Sequence, residues 1–225
     1  QIASALRELV SNPVLAGRRV VGVGVAVPGL IDAPSGTVTY APNLGWRDLK
    51  LRDHLTDLLA APDLPVLVDN DANLGAIAEY RAGAFPGTPD LVYVTGEVGI
   101  GAGVLADGSL LRGTNGFAGE IGHLPLDANG PECVCGRRGC VETLAGIDAI
   151  LHRAVPDKIP ERTLSGEDIT DLVTIAVERA EAGDLAAVEA MNSAGTWLGR
   201  GLASLVNITN PRLIVLGGYF VPMGP

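Results

Sequence analysis

Two neighbouring segments of the sequence read Gly119-Glu-Ile-Gly-His123 and Cys133-Val-Cys-Gly-Arg-Arg-Gly-Cys140. Three thiolates and one imidazole are the complete ligand set of a closed tetrahedral zinc site. The chain has no other cysteine. The glycines between the cysteines permit tight turns that can aim all three sulfurs at one point. The sequence therefore predicts one structural Zn²⁺ ion, held by His123, Cys133, Cys135 and Cys140.

The cysteines leave two other interpretations open, which are three free thiols in a loop or one disulfide with a thiol left over. A Cys-x-Cys disulfide is geometrically awkward, and an odd number of cysteines leaves one unpaired. Clustered cysteines in a cytoplasmic chain more often bind a metal, and we expect this chain to be cytoplasmic because no signal peptide is visible.

The composition bounds the class of protein. A chain of 225 residues that is 47% hydrophobic is long enough to bury a sizeable core. Its net charge of −10 repels the phosphate backbone, so this segment by itself is a poor nucleic-acid binder. No apolar run approaches the length that spans a membrane. Because the chain begins at Gln1 and ends just after a strand, we expect it to be a segment of a longer protein.

Hydrophobic patterning predicts strands that alternate with helices, which indicates an α/β fold with a largely parallel sheet. An amphipathic helix is predicted over residues 1–11 and a single helix over 142–154. The segment Gly83–Pro89 is rich in glycine and proline and is the best candidate hinge. It divides the chain into an N-terminal α/β lobe, 1–86, and a C-terminal α/β lobe, 87–225, which carries the zinc loop 119–142.

Polar side chains follow a predicted buried strand in the run Asp69-Asn-Asp-Ala-Asn73. Ligands of open α/β sheets bind beyond the carboxyl ends of the strands. Asn70 can donate and accept hydrogen bonds while ionised Asp71 only accepts, so the pair suits a polyol. The spacing alone favours the other interpretation, in which these residues cap the following helix.

Two carboxylates flank the predicted metal site. Glu120 stands three residues before His123, and Glu142 stands two residues after Cys140. They could grip vicinal hydroxyls, or one of them could orient the zinc-bound imidazole. Trp46 could stack on the face of a sugar or belong to the core.

These residues together resemble the ROK family of repressors, open reading frames and sugar kinases. The resemblance extends from about Val20 to Gly218 in the family's order. It is carried by Val27–Leu30, Pro42–Trp46, Asp69–Asn73, Gly99–Gly103, Gly119–His123, Cys133–Cys140 with Glu142, and Leu216–Gly218.

The resemblance implies an actin-like, two-lobed fold with a ligand cleft between the lobes, and a dimer or a tetramer. It implies that Asp71 matches the catalytic base of the kinases, and it moves our interpretation of Asp71 from a helix cap to a ligand contact. The residues that match sugar contacts are Asn70, Asp71, Glu120, His123 and Glu142. The match gives His123 two roles, with one nitrogen on zinc and the rest of the ring facing the sugar.

The sequence departs from the kinases of the family at the phosphate loop. Where they have Gly-Thr-Gly, this chain has Glu97-Val98-Gly99. Val98 cannot donate a hydroxyl hydrogen bond, and the Glu97 carboxylate repels ATP phosphates by about 1 kcal/mol or more at a few ångströms. The kinases' Asp-x-Gly-x-Thr motif is also absent, although it could lie upstream of Gln1.

The sequence therefore favours a sugar-sensing domain of a ROK transcriptional regulator, without ATP and Mg²⁺ as cofactors. Its DNA-binding winged helix-turn-helix is expected outside this segment. The alternatives that stay open are an ATP-dependent sugar kinase with Asp71 as catalytic base, such as a glucokinase or an N-acetylhexosamine kinase, and a zinc-stabilised scaffold.

Overall fold

The computed structural model of the protein describes residues 4–6, 8, 18, 20–60, 63–160, 164 and 166–224. The chain forms two compact units. Unit 1 comprises Gln1–Leu74 and Arg112–Ala118, and unit 2 comprises Gly75–Leu111 and Gly119–Pro225. The lobes predicted from the sequence, 1–86 and 87–225, stay a prediction. Of the helix predicted over 1–11, residues 4–6 and 8 are helical and the remainder lies outside the described residues.

In its described part, unit 1 contains two small sheets and one complete helix, besides the helical residues 4–6 and 8 and the first residues of a helix that continues into unit 2. Strand β1 (Val23–Val27) pairs in parallel with β5 (Val66–Asn70). Strands β2 (Leu30–Asp32), β3 (Thr37–Ala41) and β4 (Trp46–Leu49) form an antiparallel meander, which helix α1 (Leu51–Leu59) follows. The inward side chains of all these elements share one buried cluster, in which Val38 is fully buried.

Unit 2 is built on a four-stranded sheet with the strand order β8-β7-β6-β9. These strands are β6 (Leu91–Gly96), β7 (Ile100–Ala106), β8 (Ser109–Leu110) and β9 (Leu213–Gly218). The helices are α2 (Asp71–Ala82), which begins in unit 1, then α3 (Val141–Ala145), α4 (Ile147–Ala154), α5 (Gly166–Glu181) and α6 (Leu185–Thr209). None of the helices in the described part of the chain has the length and apolar character needed to cross a bilayer.

The core of unit 2 explains why its elements form where they do. The central strand β6 is buried on both faces, with Val92 and Val94 fully inaccessible. Helices α3, α4 and α6 contribute apolar side chains to the same cluster. Asp184 caps the start of α6, and its carboxylate accepts hydrogen bonds from the amides of Ala186 and Ala187. Local capping and core burial therefore agree in placing α6.

The expectation of a largely parallel sheet is wrong. Among the strands that the structure describes, only β1 with β5 and β6 with β9 pair in parallel. The reason is the length of the connections, since parallel neighbours need long crossovers whereas short turns produce antiparallel pairs. Asp107 and Gly108, both with positive φ, make such a turn between β7 and β8.

The single helix predicted over 142–154 is also wrong, because Gly146 separates α3 from α4. The backbone of Gly146 is extended, with φ −72° and ψ 165°. Its amide still donates to the carbonyl of Glu142, and a Cβ built on it would lie 2.3 Å from that carbonyl oxygen. A side chain cannot be accommodated there, and glycine permits the kink.

Two glycine-to-alanine substitutions should change the stability of unit 2 in opposite directions. Gly146→Ala should destabilise the protein by about 1–3 kcal/mol, because its methyl group meets the Glu142 carbonyl. Gly195→Ala should stabilise it by about 0.5–1 kcal/mol, because Gly195 lies inside α6 with open space around it. Urea unfolding of the two variants and the parent protein measures both changes in the free energy of unfolding. Changes of the same sign would contradict this explanation of the break between α3 and α4.

Candidate functional site

The zinc loop, residues 119–142, is held by backbone hydrogen bonds rather than by a core of its own. Cys133 donates to the carbonyl of Arg137 at 2.8 Å, and Gly139 donates to Pro131 at 2.8 Å. Gly139 has a φ of +60°, and a Cβ built on it would lie 1.9 Å from the carbonyl oxygen of Asp127. The loop therefore closes on itself only because position 139 lacks a side chain.

The loop brings together the four residues predicted to bind metal. The ligand atoms of His123, Cys133, Cys135 and Cys140 all lie within 4.8 Å of one another. His123 occupies the last position of a short 3-10 helix, Ile121–His123, and Cys140 immediately precedes α3. His123 thus lies near the start of the zinc loop and Cys140 near its end, and each of the two is next to or within a short helix.

The distances between the ligand atoms fit a tetrahedral zinc ion. Zinc with Zn–S bonds of about 2.3 Å and Zn–N bonds of about 2.0–2.1 Å holds two sulfurs about 3.8 Å apart and a sulfur and a nitrogen about 3.5 Å apart. The Sγ atoms of Cys135 and Cys140 are 3.7 Å apart, and Cys133 Sγ is 3.5 Å from His123 Nδ1. All three cysteines are free, which excludes the disulfide interpretation for this structure.

The thiols of the cluster differ in acidity. Burial, together with hydrogen bonding to the Cys135 and Cys133 sulfurs, raises the pKa of Cys140 to about 12. Desolvation raises the pKa of Cys135, but the backbone amide of Arg137 and the neighbouring thiols lower it further, so that it falls below the ordinary value. Three thiolates this close together need a cation to remain ionised at neutral pH, and a divalent metal supplies one.

Both arginines of the loop brace its backbone. Arg137 Nη1 donates to the carbonyl of His123 at 3.4 Å. Arg138 donates from Nε to the carbonyl of Gly130 at 3.1 Å and forms an ion pair with Glu132. Their positive charges lie on the loop that carries the thiols, as expected if they offset the negative charge of the cluster.

In unit 1, the residues that follow β5 form a hydrogen-bonded corner. Asn70 Oδ1 accepts from the amide of Asn73 at 3.1 Å, and Asn70 Nδ2 donates to the carbonyl of Gly29 at 3.1 Å. Asp71 Oδ1 accepts from the adjacent amide of Ala72 at 2.8 Å. Asn70 therefore makes the capping bond to the third residue of α2, whereas Asp71 does not.

Sequence reasoning missed the role of Asp69 and Arg112 at this corner. Arg112 forms a two-pronged ion pair with Asp69, at 3.0 Å to Oδ1 and 2.5 Å to Oδ2. This hydrogen bonding raises the pKa of Arg112 above its ordinary value. No local pattern signals the pair, because Arg112 follows β8 and its partner is 43 residues earlier in the chain.

The two predicted carboxylates of unit 2 lie on either side of the metal ligands. Glu120 is exposed and precedes the 3-10 helix that carries His123. Glu142 is half-buried in the first turn of α3, where its Oε2 accepts from the amide of Ile100 at 3.1 Å. A Cβ built on Gly99 would lie 2.3 Å from that oxygen, so the Glu142 carboxylate reaches the turn between β6 and β7.

The turn between β6 and β7 carries a carboxylate. The amide of Glu97 donates to the carbonyl of Gly99 at 2.9 Å, and the Val98 side chain is 53% exposed. A Cβ built on Gly218, at the end of β9, would lie 2.8 Å from Glu97 Oε1. The negative charge of Glu97 therefore stands directly against the glycines that end β9.

Trp46 belongs to the core of unit 1. Its side chain is partly buried and packs against the apolar cluster of that unit. Of the two interpretations that the sequence left open for this residue, the structure supports packing.

The sequence model of the ROK family matches residues 1–224 of the chain. The glucokinase of Halalkalibacterium halodurans is 36% identical to the chain over 223 residues, which cover 96% of this chain and 67% of that protein. The xylose repressor of Bacillus subtilis is also 36% identical, over 205 residues that cover 91% of this chain and 50% of the repressor. The chain thus spans about half the length of such repressors, and identity alone does not separate the two classes.

A solved structure has the same fold. The ROK family glucokinase from Streptomyces griseus, crystallised in complex with glucose and AMPPNP, superposes with a TM-score of 0.80 at 31% identity. The match covers 99% of this chain and 73% of the glucokinase chain. The actin-like α/β fold expected from the sequence is confirmed.

The geometry of the cysteine cluster predicts about one zinc per chain in protein purified without added metal, because closed four-ligand sites bind zinc tightly. Cys135→Ala should lose the metal. Val134→Ala should retain it, since that side chain is 86% exposed in the same loop. Elemental analysis checks all three proteins, and a fully folded parent protein without metal would refute the prediction.

Proposed function

The chain belongs to the ROK family, and from the residues of its β6–β7 turn we propose that it is the sugar-sensing effector domain of a ROK transcriptional regulator. In this proposal the domain binds a monosaccharide or an oligosaccharide and does not phosphorylate it. One observation carries the choice of regulator over kinase, namely the Glu97 carboxylate standing against Gly218.

The negative charge of Glu97 disfavours the binding of a nucleoside triphosphate at this turn. The kinases that the chain resembles have a neutral, hydroxyl-bearing Gly-Thr-Gly at this turn. Here a carboxylate and an apolar valine occupy it. Two like charges about 4 Å apart repel by about 1 kcal/mol in water and by more where solvent is excluded, and each phosphate adds to the repulsion.

We assign sugar binding to Asn70 and Asp71 from unit 1 and to Glu120, His123 and Glu142 from unit 2. The structure supports the role of Asp71 indirectly, because Asn70 makes the helix-capping bond and leaves the Asp71 carboxylate without that duty. Carboxylates and amides bind hydroxyl groups well because they supply several acceptors and donors in fixed directions.

Zinc has a positioning role in this proposal. His123 Nδ1 faces Cys133 Sγ, so Nδ1 is the nitrogen that would bind the metal and Nε2 is left to meet a sugar hydroxyl. Glu120 and Glu142 lie close in sequence to metal ligands on either side of the loop. The ion would therefore fix the positions of three sugar contacts without taking part in any reaction.

The second candidate function is an ATP-dependent sugar kinase with Asp71 as the catalytic base. The observation that favours it is that Asn70, and not Asp71, makes the capping bond to Asn73, since a catalytic base must not be occupied in capping a helix. Sugar binding alone also uses a carboxylate, so this observation weighs less than the altered phosphate loop.

The remaining parts of the proposal concern partners. A regulator of this kind would bind DNA through a winged helix-turn-helix outside this segment. This chain would supply the response to the sugar. Two copies of the full protein, or four, would act together on DNA in the cytoplasm.

The phosphate loop predicts no sugar-dependent ATP consumption by the full-length protein across hexoses and N-acetylhexosamines. A coupled assay measures it, with an active sugar kinase as the positive control. The double substitution Glu97→Gly, Val98→Thr rebuilds the kinases' loop and should raise the affinity for a non-hydrolysable ATP analogue above that of the parent. Turnover by the parent at ordinary kinase rates, roughly 1–100 per second, would overturn the proposal.

A ligand found by thermal-shift screening of sugars should bind more weakly when a charged contact is removed. Asp71→Ala and Glu120→Ala should each cost about 1.5–3 kcal/mol, or roughly ten- to a hundredfold in affinity. Asp71→Asn should retain partial binding, because it keeps the shape of the side chain. Glu132→Ala is the matched control, since its carboxylate lies in the zinc loop and is 81% exposed. Calorimetric affinities unchanged in Asp71→Ala, Glu120→Ala and Glu142→Ala alike would place the pocket elsewhere.

A further inference from the structure

The segment Arg112–Ala118 joins β8 to the zinc loop but packs as part of unit 1. The amide of Ala118 donates to the carbonyl of Arg112 at 3.0 Å, so the segment closes into a compact loop. A Cβ built on Gly116 would lie 2.8 Å from the carbonyl oxygen of Ile31, which shows how closely this loop packs on β2. The backbone that carries Arg112 is therefore held against β2.

Arg112 is aimed at one carboxylate. Its Nη1 and Nη2 atoms donate to the two oxygens of Asp69 at 3.0 and 2.5 Å. The Asp69 side chain is 10% exposed and that of Arg112 is 36% exposed. A two-pronged guanidinium–carboxylate pair is stronger and more directional than a single hydrogen bond, and loss of the arginine leaves a nearly buried carboxylate unpaired.

The pair is connected to the predicted sugar contacts by direct hydrogen bonds. Asp69 Oδ1, which accepts from Arg112, also accepts from the amide of Asn70 at 2.8 Å. The Asn70 side chain then links the turn at Gly29 to the amide of Asn73 in α2. The main chain at Asn70 is thus tied to the Asp69 carboxylate.

Gly29 fixes the far end of this chain of contacts. It has a φ of +113°, and a Cβ built on it would lie 2.3 Å from the carbonyl oxygen of Tyr40. The turn at Gly29 therefore packs closely against β3 at Tyr40. The Asn70 side chain thus bridges Gly29 and α2, while its backbone amide is held by the Asp69 carboxylate that Arg112 grips.

We propose that Arg112 is a positioning residue of the sugar site, which holds Asp69 so that Asn70 and Asp71 face the ligand in the binding geometry. This inference rests on the proposed function for the identity of the ligand. It assigns Arg112 no contact with the sugar. It also gives the segment Arg112–Ala118 a role in binding that its sequence does not indicate.

The test compares Arg112→Gln with Arg112→Lys in the full-length protein, using the sugar identified by the thermal-shift screen. Arg112→Gln should weaken sugar binding by about tenfold or more. The affinity of Arg112→Lys should lie between those of the parent and Arg112→Gln, because lysine keeps the charge but cannot make the two-pronged contact. Arg52→Gln is the matched control, since it removes one positive charge from unit 1 at an exposed ion pair. Affinities come from calorimetry and are corrected for the folded fraction measured by thermal unfolding.

A double-mutant cycle separates positioning from a general loss of stability. If Arg112 acts through Asp69, adding Asp69→Asn to Arg112→Gln should cause no further loss of affinity, while the double variant regains melting temperature because no unpaired buried charge remains. Additive losses of affinity would overturn the proposal. So would an affinity of Arg112→Gln equal to that of the parent once the folded fraction is taken into account.

A second readout does not need the sugar. In ¹⁵N-labelled protein, the side-chain amide of Asn70, assigned with Asn70→Ala, should exchange slowly with solvent because it donates to Gly29. Arg112→Gln should speed that exchange and Arg52→Gln should not. Unchanged exchange in Arg112→Gln would refute the coupling. Failure of the parent protein to bind any sugar, with the exchange result intact, would instead refute the proposed function.

Discussion

The mutual repulsion of three thiolates is the constraint on which the loop 119–142 depends. The sulfurs and the His123 imidazole are packed within 4.8 Å of one another in a loop that has glycines where side chains would clash. Burial raises the pKa of Cys140 to about 12, so the cluster is stable as thiolates only around a cation. Metal binding would therefore be coupled to the folding of the segment that carries the cysteines, while Ile121 and Val141 anchor the loop in the core of unit 2.

A charge pair has the corresponding role at the end of β5. Asp69 is nearly buried and would be costly there without the two-pronged contact from Arg112. The pair leads by hydrogen bonds to Asn70, which caps α2 and contacts Gly29. Each of the two predicted groups of sugar contacts thus lies next to a cluster of charged or ionisable groups. In unit 2 this is the cysteine cluster, and in unit 1 it is the Asp69–Arg112 ion pair.

The sequence predicted what depends on local chemistry and missed what depends on distant partners. The clustering of the candidate metal ligands was predictable because Cys133, Cys135 and Cys140 are close in sequence and share one chemistry. The mixture of strands and helices followed from the hydrophobic period, although the short strands β2, β4 and β8 did not. The break at Gly146 was not predictable, since the clash that requires glycine there involves a carbonyl four residues away in folded geometry. The antiparallel pairing of β6 with β7 was likewise missed, because alternating strands and helices suggest parallel crossovers.

The proposal of a sensor rests on a contrast between two parts of the kinases' chemistry, which are sugar recognition and phosphoryl transfer. Recognition of a polyol needs carboxylates and amides in fixed positions, and the residues that would supply them are all present. Phosphoryl transfer also needs a neutral cradle for phosphate, and here Glu97 stands against Gly218. A sensor needs only that its ligand bind one conformation of the protein more tightly than another, because that difference in affinity shifts the balance between them.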